Sequence, residues 1–281
     1  MMLAQDIHIR DPFILPENGV YYLYGTRASH FGMNTGGFDV YTSRDLIHWS
    51  EPKEIFDSSK FDLNRGVNWA PEVHAYQGSY YLFATFTQKN SDNRGTFILK
   101  SDAPDGQFLP HSDGSITPND WFALDGTFYV ENGVPYMVFC HEHVQILNGT
   151  VEAVRLTDDL KQPASDPFRG SDAYEVPFIA GERYVTDGPF LHRHENGALS
   201  LIWSTGVQGK YAQCRALSDN GSITGHWTQQ PHLFTEDGGH GMIFQTFDGG
   251  WMLTLHRPNR QPDERPAFLP LSEVGSVLSV Q

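Results

Sequence analysis

The chain has 281 residues, enough for one large domain or two modest ones, and carries 34 acidic against 19 basic side chains for a formal net charge of -15. That charge argues against nucleic acid or an anionic membrane as partner; it fits a neutral glycan, and equally a requirement for solubility alone. Two cysteines with no CxxC pattern exclude a disulfide framework, and no apolar run approaches the length that spans a membrane.

Read from the N-terminus, the opening MMLAQDIHIRDPF lacks the apolar stretch of a secretory signal. The expectation is therefore a cytoplasmic protein, or a secreted or periplasmic one whose signal peptide has been removed. From residue 10 a small design recurs: a short signature holding a carboxylate or histidine, a turn, then an aromatic-rich strand. The copies are RDPFI…NGVYYLYGT (10–26), WAPEV…QGSYYLFAT (69–85), LDGTF…NGVPYMVFC (124–140), TDGPF…NGALSLIWS (186–204) and GHGMIF…DGGWMLTLH (239–256).

Taking Asp11, Glu72, Asp125, Asp187 and His240 as equivalent gives steps of 61, 53, 62 and 53 residues, a period that signals a propeller or other array. Each copy is followed by further strand-like alternation, as in GGFDVYTS (36–43), RGTFILKS (94–101) and KYAQCRALS (210–218). Helix-favouring runs are scarce, and 27 Gly and 17 Pro fit many short strands joined by turns. The predicted architecture is all-β: a five-bladed β-propeller of four-stranded antiparallel blades round a central channel, filling residues 1–281 as one domain. A sandwich or jelly roll would not explain a polar residue opening every repeat.

A closed ring brings those five polar groups to one axis, and several carboxylates round one pocket suit acid-catalysed cleavage of a sugar bond. Asp11 precedes Pro12, which biases it towards an extended backbone and aims its carboxylate as a general base. Asp125 is placed to raise the pKa of a neighbouring acid through like-charge repulsion. Asp187, in a tight Asp-Gly-Pro setting, is the expected proton donor, with Glu175 in reserve and Glu142 as a weaker third choice. Each aspartate also has a plain reading as a turn residue.

Glu72 is expected to hold a sugar hydroxyl or an arginine, and Trp69 beside it to form an apolar sugar platform. Phe31, Phe128 and Arg257 complete the expected substrate contacts. For most aromatics, packing between blades is the competing explanation. His240, flanked by glycines, is expected in the channel, holding a water cluster or a structural Ca2+; no cofactor is required. HEH at 141–143 and HRH at 192–194 read as exposed pairs, and no Cys/His set or HExxH has zinc spacing. No GxSxG, P-loop or GxGxxG motif occurs, so acyl transfer, nucleotide hydrolysis and nicotinamide chemistry have no support.

RDPFI (10–14), LDGTFYVENGVPYMVF (124–139), VTDGPFLHR (185–193), WAPEV (69–73) and GHGMIF (239–244) together resemble glycoside hydrolase family 43, over nearly the whole chain. The resemblance implies a five-bladed propeller and an inverting single displacement. It assigns the base to Asp11, the carboxylate that tunes the acid to Asp125, and the acid to Asp187. It also implies the inverting separation of about 6.5–9.5 Å between base and acid. The family usually has Glu-Gly-Pro where this chain has Asp187-Gly188-Pro189, and a side chain one methylene shorter sets the proton back by roughly 1–1.5 Å, a displacement that can cost about a hundredfold in rate. By the resemblance the substrate is an oligosaccharide or polysaccharide side chain, and an exo-acting α-L-arabinofuranosidase is the favoured activity. A β-D-xylosidase, a galactofuranosidase or galactan-active enzyme, and a binding propeller that has lost its acid are the alternatives.

Overall fold

The computed structural model describes residues 1–27, 36–61, 66–88, 91–172 and 184–281. The first blade holds β1 (Met2–Leu3), β2 (Ile9–Glu17), β3 (Val20–Arg27), β4 (Gly37–Ser43), β5 (His48–Trp49) and β6 (Lys53–Asp57). The second holds β7 (Asn68–Tyr76), β8 (Ser79–Thr87), β9 (Arg94–Ser101) and β10 (Leu109–Pro110), and the third β11 (Ala123–Glu131), β12 (Val134–His141), β13 (Thr150–Arg155) and β14 (Phe168–Asp172). The fourth holds β15 (Asp187–Arg193), β16 (Leu199–Val207), β17 (Lys210–Ser218) and β18 (Trp227–Phe234), and the fifth β19 (Gly239–Gln245), β20 (Trp251–Arg257), β21 (Arg265–Val274) and β22 (Val277–Val280).

All pairing within these sheets is antiparallel, and it joins sequence neighbours except in the first blade, where β1 pairs with β5 and β6 with β4. The first blade departs from the expected four strands: its outer position is divided between β5 and β6, both on β4. Inner strands touch round the ring, β2 to β7, β7 to β11, β11 to β15, β15 to β19 and β19 back to β2, so the propeller closes.

The strands form where apolar residues alternate or run continuously, and tight turns such as Glu17-Asn18-Gly19-Val20 reverse them, with Asn18 and Gly19 both at positive φ. The inner strands are buried on both faces, because each sheet packs against its two neighbours. The apolar clusters accordingly lie between blades. One joins the first and second blades with Met242 and Phe244 of the fifth; others join the second to the third, the third to the fourth and the fourth to the fifth. Phe128 belongs to this packing. It stacks on Phe83 with ring centroids 5.4 Å apart and meets Tyr76 edge-on at 5.1 Å, which accounts for it as core rather than as a sugar platform.

The ring is closed by side chains rather than by a shared strand. Arg10 pairs with the fully buried Glu264 at 3.0 Å, and Trp49 stacks on Phe268 at 5.5 Å. The Phe247 N–H donates to the Tyr21 hydroxyl at 3.0 Å.

Candidate active site

Each inner strand carries a β-bulge near its start. Register slips between Arg10 and Phe13, Trp69 and Glu72, Leu124 and Thr127, Asp187 and Phe190, and Gly239 and Met242. In every case the residue after the first of these has positive φ: Asp11 (52°), Ala70 (47°), Asp125 (58°), Gly188 (50°) and His240 (49°). The left-handed conformation costs energy for residues with a Cβ, and bulges are where proteins hold it to re-aim a side chain. Asp11 is thus not extended, as its place before Pro12 predicts; the bulge overrides the local preference.

The backbone N–H of each bulge residue is satisfied by a neighbouring blade. Ala70 N donates to Thr26 Oγ1 (2.7 Å), Asp125 N to Thr85 Oγ1 (2.9 Å), His240 N to Ser204 Oγ (2.7 Å) and Asp11 N to His256 Nδ1 (3.2 Å). These acceptors occupy one repeat position, the residue paired with the one before the bulge on the second strand. In the third blade that position is Cys140, a weak acceptor, and Gly188 N donates instead to Asp125 Oδ2 at 3.0 Å. Gly188 is further constrained by packing: a Cβ there would lie 2.5 Å from the His240 ring.

Two tiers of residues therefore face the channel mouth. Asp11, Asp125 and His240 come from the bulge tier. Arg10, Trp69, Leu124 and Asp187 come from the residues just before it. With Arg94 and Glu142 they line a cavity of about 170 Å³. The five charged residues do not share one repeat position: Asp187 stands one position before the bulge residue and Glu72 two positions after it, so neither is equivalent to Asp11.

His240 Nδ1 lies 3.1 Å from Asp11 Oδ1 and 3.7 Å from Asp125 Oδ2. Burial disfavours the imidazolium, but Asp11, Asp125 and Asp187 outweigh it and raise the His240 pKa. Burial likewise opposes the Asp11 anion, yet His240 and Arg10, with the Thr26 hydroxyl, which donates at 2.7 Å, hold its pKa below the usual value. Asp125 and Asp187 go the other way. Burial raises both; Asp187 and Asp11 add like-charge repulsion at Asp125, and Asp11 adds it at Asp187, so the pair retains protons beyond the ordinary carboxylate range. Tyr211 donates its hydroxyl to Asp187 Oδ2 at 3.0 Å. His256, whose pKa burial drives down to about 3, is neutral; accepting at Nδ1, it donates from Nε2 to Asn259 Oδ1 at 3.1 Å. The site thus holds a ready anion beside two acids that keep their protons, the division of labour that general acid–base cleavage of a glycoside requires.

Above the carboxylates, Arg94 Nη1 grips Glu142 Oε2 at 2.6 Å, and its guanidinium lies over Trp69, 5.0 Å from the ring centroid. Burial pushes the Glu142 carboxyl up to about 7 in spite of Arg94. Arg10, Arg94 and Tyr211 were not singled out from the sequence; the RDP tripeptide and the polar loop at 87–95 held the only cues to the two arginines, and Tyr211 had none.

Other expected site residues lie elsewhere. Glu72 is buried but turned to His74 Nε2 at 3.0 Å; it reaches the site only through its charge, which favours protonated His240. Arg257 lies over the Phe234 ring at 5.3 Å, 3.7 Å from Glu236, away from the cavity lining. Phe31 and Glu175 fall outside the described residues. A channel calcium at His240 does not fit well: Nδ1 faces two carboxylates as an imidazolium donor, whereas Ca2+ prefers six to eight oxygens.

Comparison with known proteins gives the lineage. Residues 5–269 match Glycosyl hydrolases family 43. A probable arabinan endo-1,5-alpha-L-arabinosidase C from Aspergillus fumigatus is 30% identical over 251 residues, covering 82% of this chain and 78% of that protein. The crystal structure of an endo-arabinase from Bacteroides thetaiotaomicron superimposes with a TM-score of 0.88 at 36% identity, covering 98% of both chains. An alpha-L-arabinofuranosidase from Lactobacillus brevis, with a TM-score of 0.77 at 17% identity over 99% of this chain and 97% of its own, shares the fold. The chain belongs to glycosyl hydrolases family 43 and is a glycosidase.

Proposed function

We propose that this protein hydrolyses α-L-arabinofuranosyl linkages of arabinan-type glycans by an inverting single displacement. Asp11 takes a proton from the attacking water, Asp187 protonates the departing oxygen, and Asp125 keeps Asp187 protonated and positions it through the Gly188 N–H. The observation that carries this reading is the electrostatic split within one cavity: Asp11 lowered, Asp125 and Asp187 raised, all three facing His240. Inversion needs room for water between base and acid. Asp11 and Asp187 come from different tiers and different blades, which is compatible with that room.

The substrate rests on the activities for which the relatives are named and on cavity size. About 170 Å³ is space for roughly one pentose ring, which favours a terminal arabinofuranosyl unit and exo action. The relatives named as endo-acting favour internal cleavage as the second reading. The test is turnover of 4-nitrophenyl α-L-arabinofuranoside, β-D-xyloside and β-D-galactofuranoside alongside linear α-1,5-arabinan. Arabinose as the first product supports exo action, and a ladder of oligosaccharides supports endo action. Turnover confined to the xyloside would overturn the arabinan reading, and binding without turnover would restore the binding-propeller alternative.

A further inference from the structure

On strand β15 the catalytic Asp187 stands at one end, and His192 follows five residues later, about 16 Å away at the usual rise per residue. His192 and His194 were expected to be exposed. They are buried, at 4% and 2% exposure, and meet Glu273 of β21 in the fifth blade. His192 Nε2 lies 2.7 Å from Glu273 Oε2, and His194 Nδ1 lies 3.3 Å from Glu273 Oε1. One ligand atom from each of the three falls within 4.8 Å of the others, the one such group among the described residues. Spacing of two along the chain turns both histidines to the same side.

We propose that His192, His194 and Glu273 form a divalent transition-metal site, best matched to Zn2+, that clamps the fourth blade to the fifth at the far end from the carboxylate cavity. The second observation is the orientation of the buried His194 ring: its Nε2 is held by Ser200 Oγ at 2.7 Å, which turns Nδ1 towards Glu273, and the 3.3 Å contact there does not have hydrogen-bond geometry. A ring nitrogen aimed into a cluster, with the other nitrogen fixed by a neighbour, is how metal-ligating histidines are oriented. Two imidazoles and one carboxylate make a nitrogen-rich set that suits zinc; Ca2+ and Mg2+ want oxygen. The three side chains are nearly closed to solvent, so the ion is structural, with water or the second Glu273 oxygen as fourth ligand. The Glu195 N–H, which donates to Glu273 Oε1 at 3.2 Å, helps to fix the carboxylate.

The experiment strips the full chain with chelator, removes the chelator, and titrates ZnCl2 by calorimetry and thermal melting, with CaCl2 in parallel. The proposal expects one Zn2+ per chain, a Tm that climbs with free zinc above Kd, and no response to calcium. His194→Ala should weaken zinc binding at least a hundredfold while leaving glycosidase turnover in place. If that variant does not fold, Glu273→Gln, which keeps the shape, should weaken it at least tenfold. Co2+ added to the wild type should give the visible bands of low-coordinate cobalt, lost in the variants. Failure of the stripped wild type to take up zinc would overturn the proposal, as would equal zinc binding by the variants.

Discussion

Asp11, Asp125 and Asp187 have the same side chain and share one cavity, yet their environments separate their proton affinities. Asp11 gains a hydroxyl donor and the cationic His240. Asp125 and Asp187 have burial and the repulsion of neighbouring carboxylates, Asp11 among them. The sign of the pH dependence follows. The base is needed ionised, so kcat/KM should hold through the ordinary carboxylate range and fall only on its acid side, because Asp11 titrates below the ordinary Asp value. The acid is needed protonated, so activity is lost as pH rises through the raised pKa of the Asp125–Asp187 pair. Asp125→Asn removes one of the two repelling charges and should move the alkaline limb to lower pH; an unmoved limb would show that Asp125 does not tune the acid. At this scale the sequence was informative about the three aspartates because each lies in a short motif of its own. It misplaced Glu72 because a carboxylate in the right neighbourhood need not face the channel, and Glu72 turns instead to His74.

The element that positions the chemistry is the bulged start of each inner strand. Its left-handed residue is tolerated because a side chain of an adjoining blade accepts its N–H. Thr85 is the acceptor for Asp125 and is fully buried. Thr85→Val keeps the volume and removes the oxygen, which should cost about 1–3 kcal/mol by leaving a buried N–H unmet. Thr85→Ser should recover most of the loss in Tm and in turnover. If Thr85→Val melts like the wild type, this interaction does not hold the bulge. The five repeats, their turns and their aromatic second strands were legible. The bulge itself was not. A residue count cannot reveal where two residues oppose one, so aligning on charge merged two tiers into one.

In the whole molecule, ring closure joins residues far apart in the chain, and sequence pattern says little about it. Arg10 and Glu264 meet across the seam between the first and fifth blades, and Arg10 also lines the cavity, with Nε 3.8 Å from Asp11 Oδ1. The seam and the site are therefore coupled. Glu264→Ala should destabilise the protein by about 3 kcal/mol, near the lower end for breaking a buried pair because Asp11 still faces the guanidinium. Equilibrium denaturation checks this, and a change below about 0.5 kcal/mol would show that the seam is held by its apolar contacts alone. The acidic surface, with its formal charge of -15, places no obstacle before a neutral glycan.

The division of roles between Asp11 and Asp187 is tested most directly by leaving-group dependence. An acid matters when the departing oxygen is poor and matters little when it is activated, whereas the base is needed in both cases. Wild type, Asp187→Asn and Asp11→Asn would be compared on an α-1,5-arabino-oligosaccharide and on an activated dinitrophenyl α-L-arabinofuranoside. Asp187→Asn should lose at least a hundredfold on the oligosaccharide and far less on the activated glycoside, while Asp11→Asn loses both. Full activity of Asp187→Asn on the oligosaccharide, or equal losses on the two substrates, would contradict Asp187 as the proton donor.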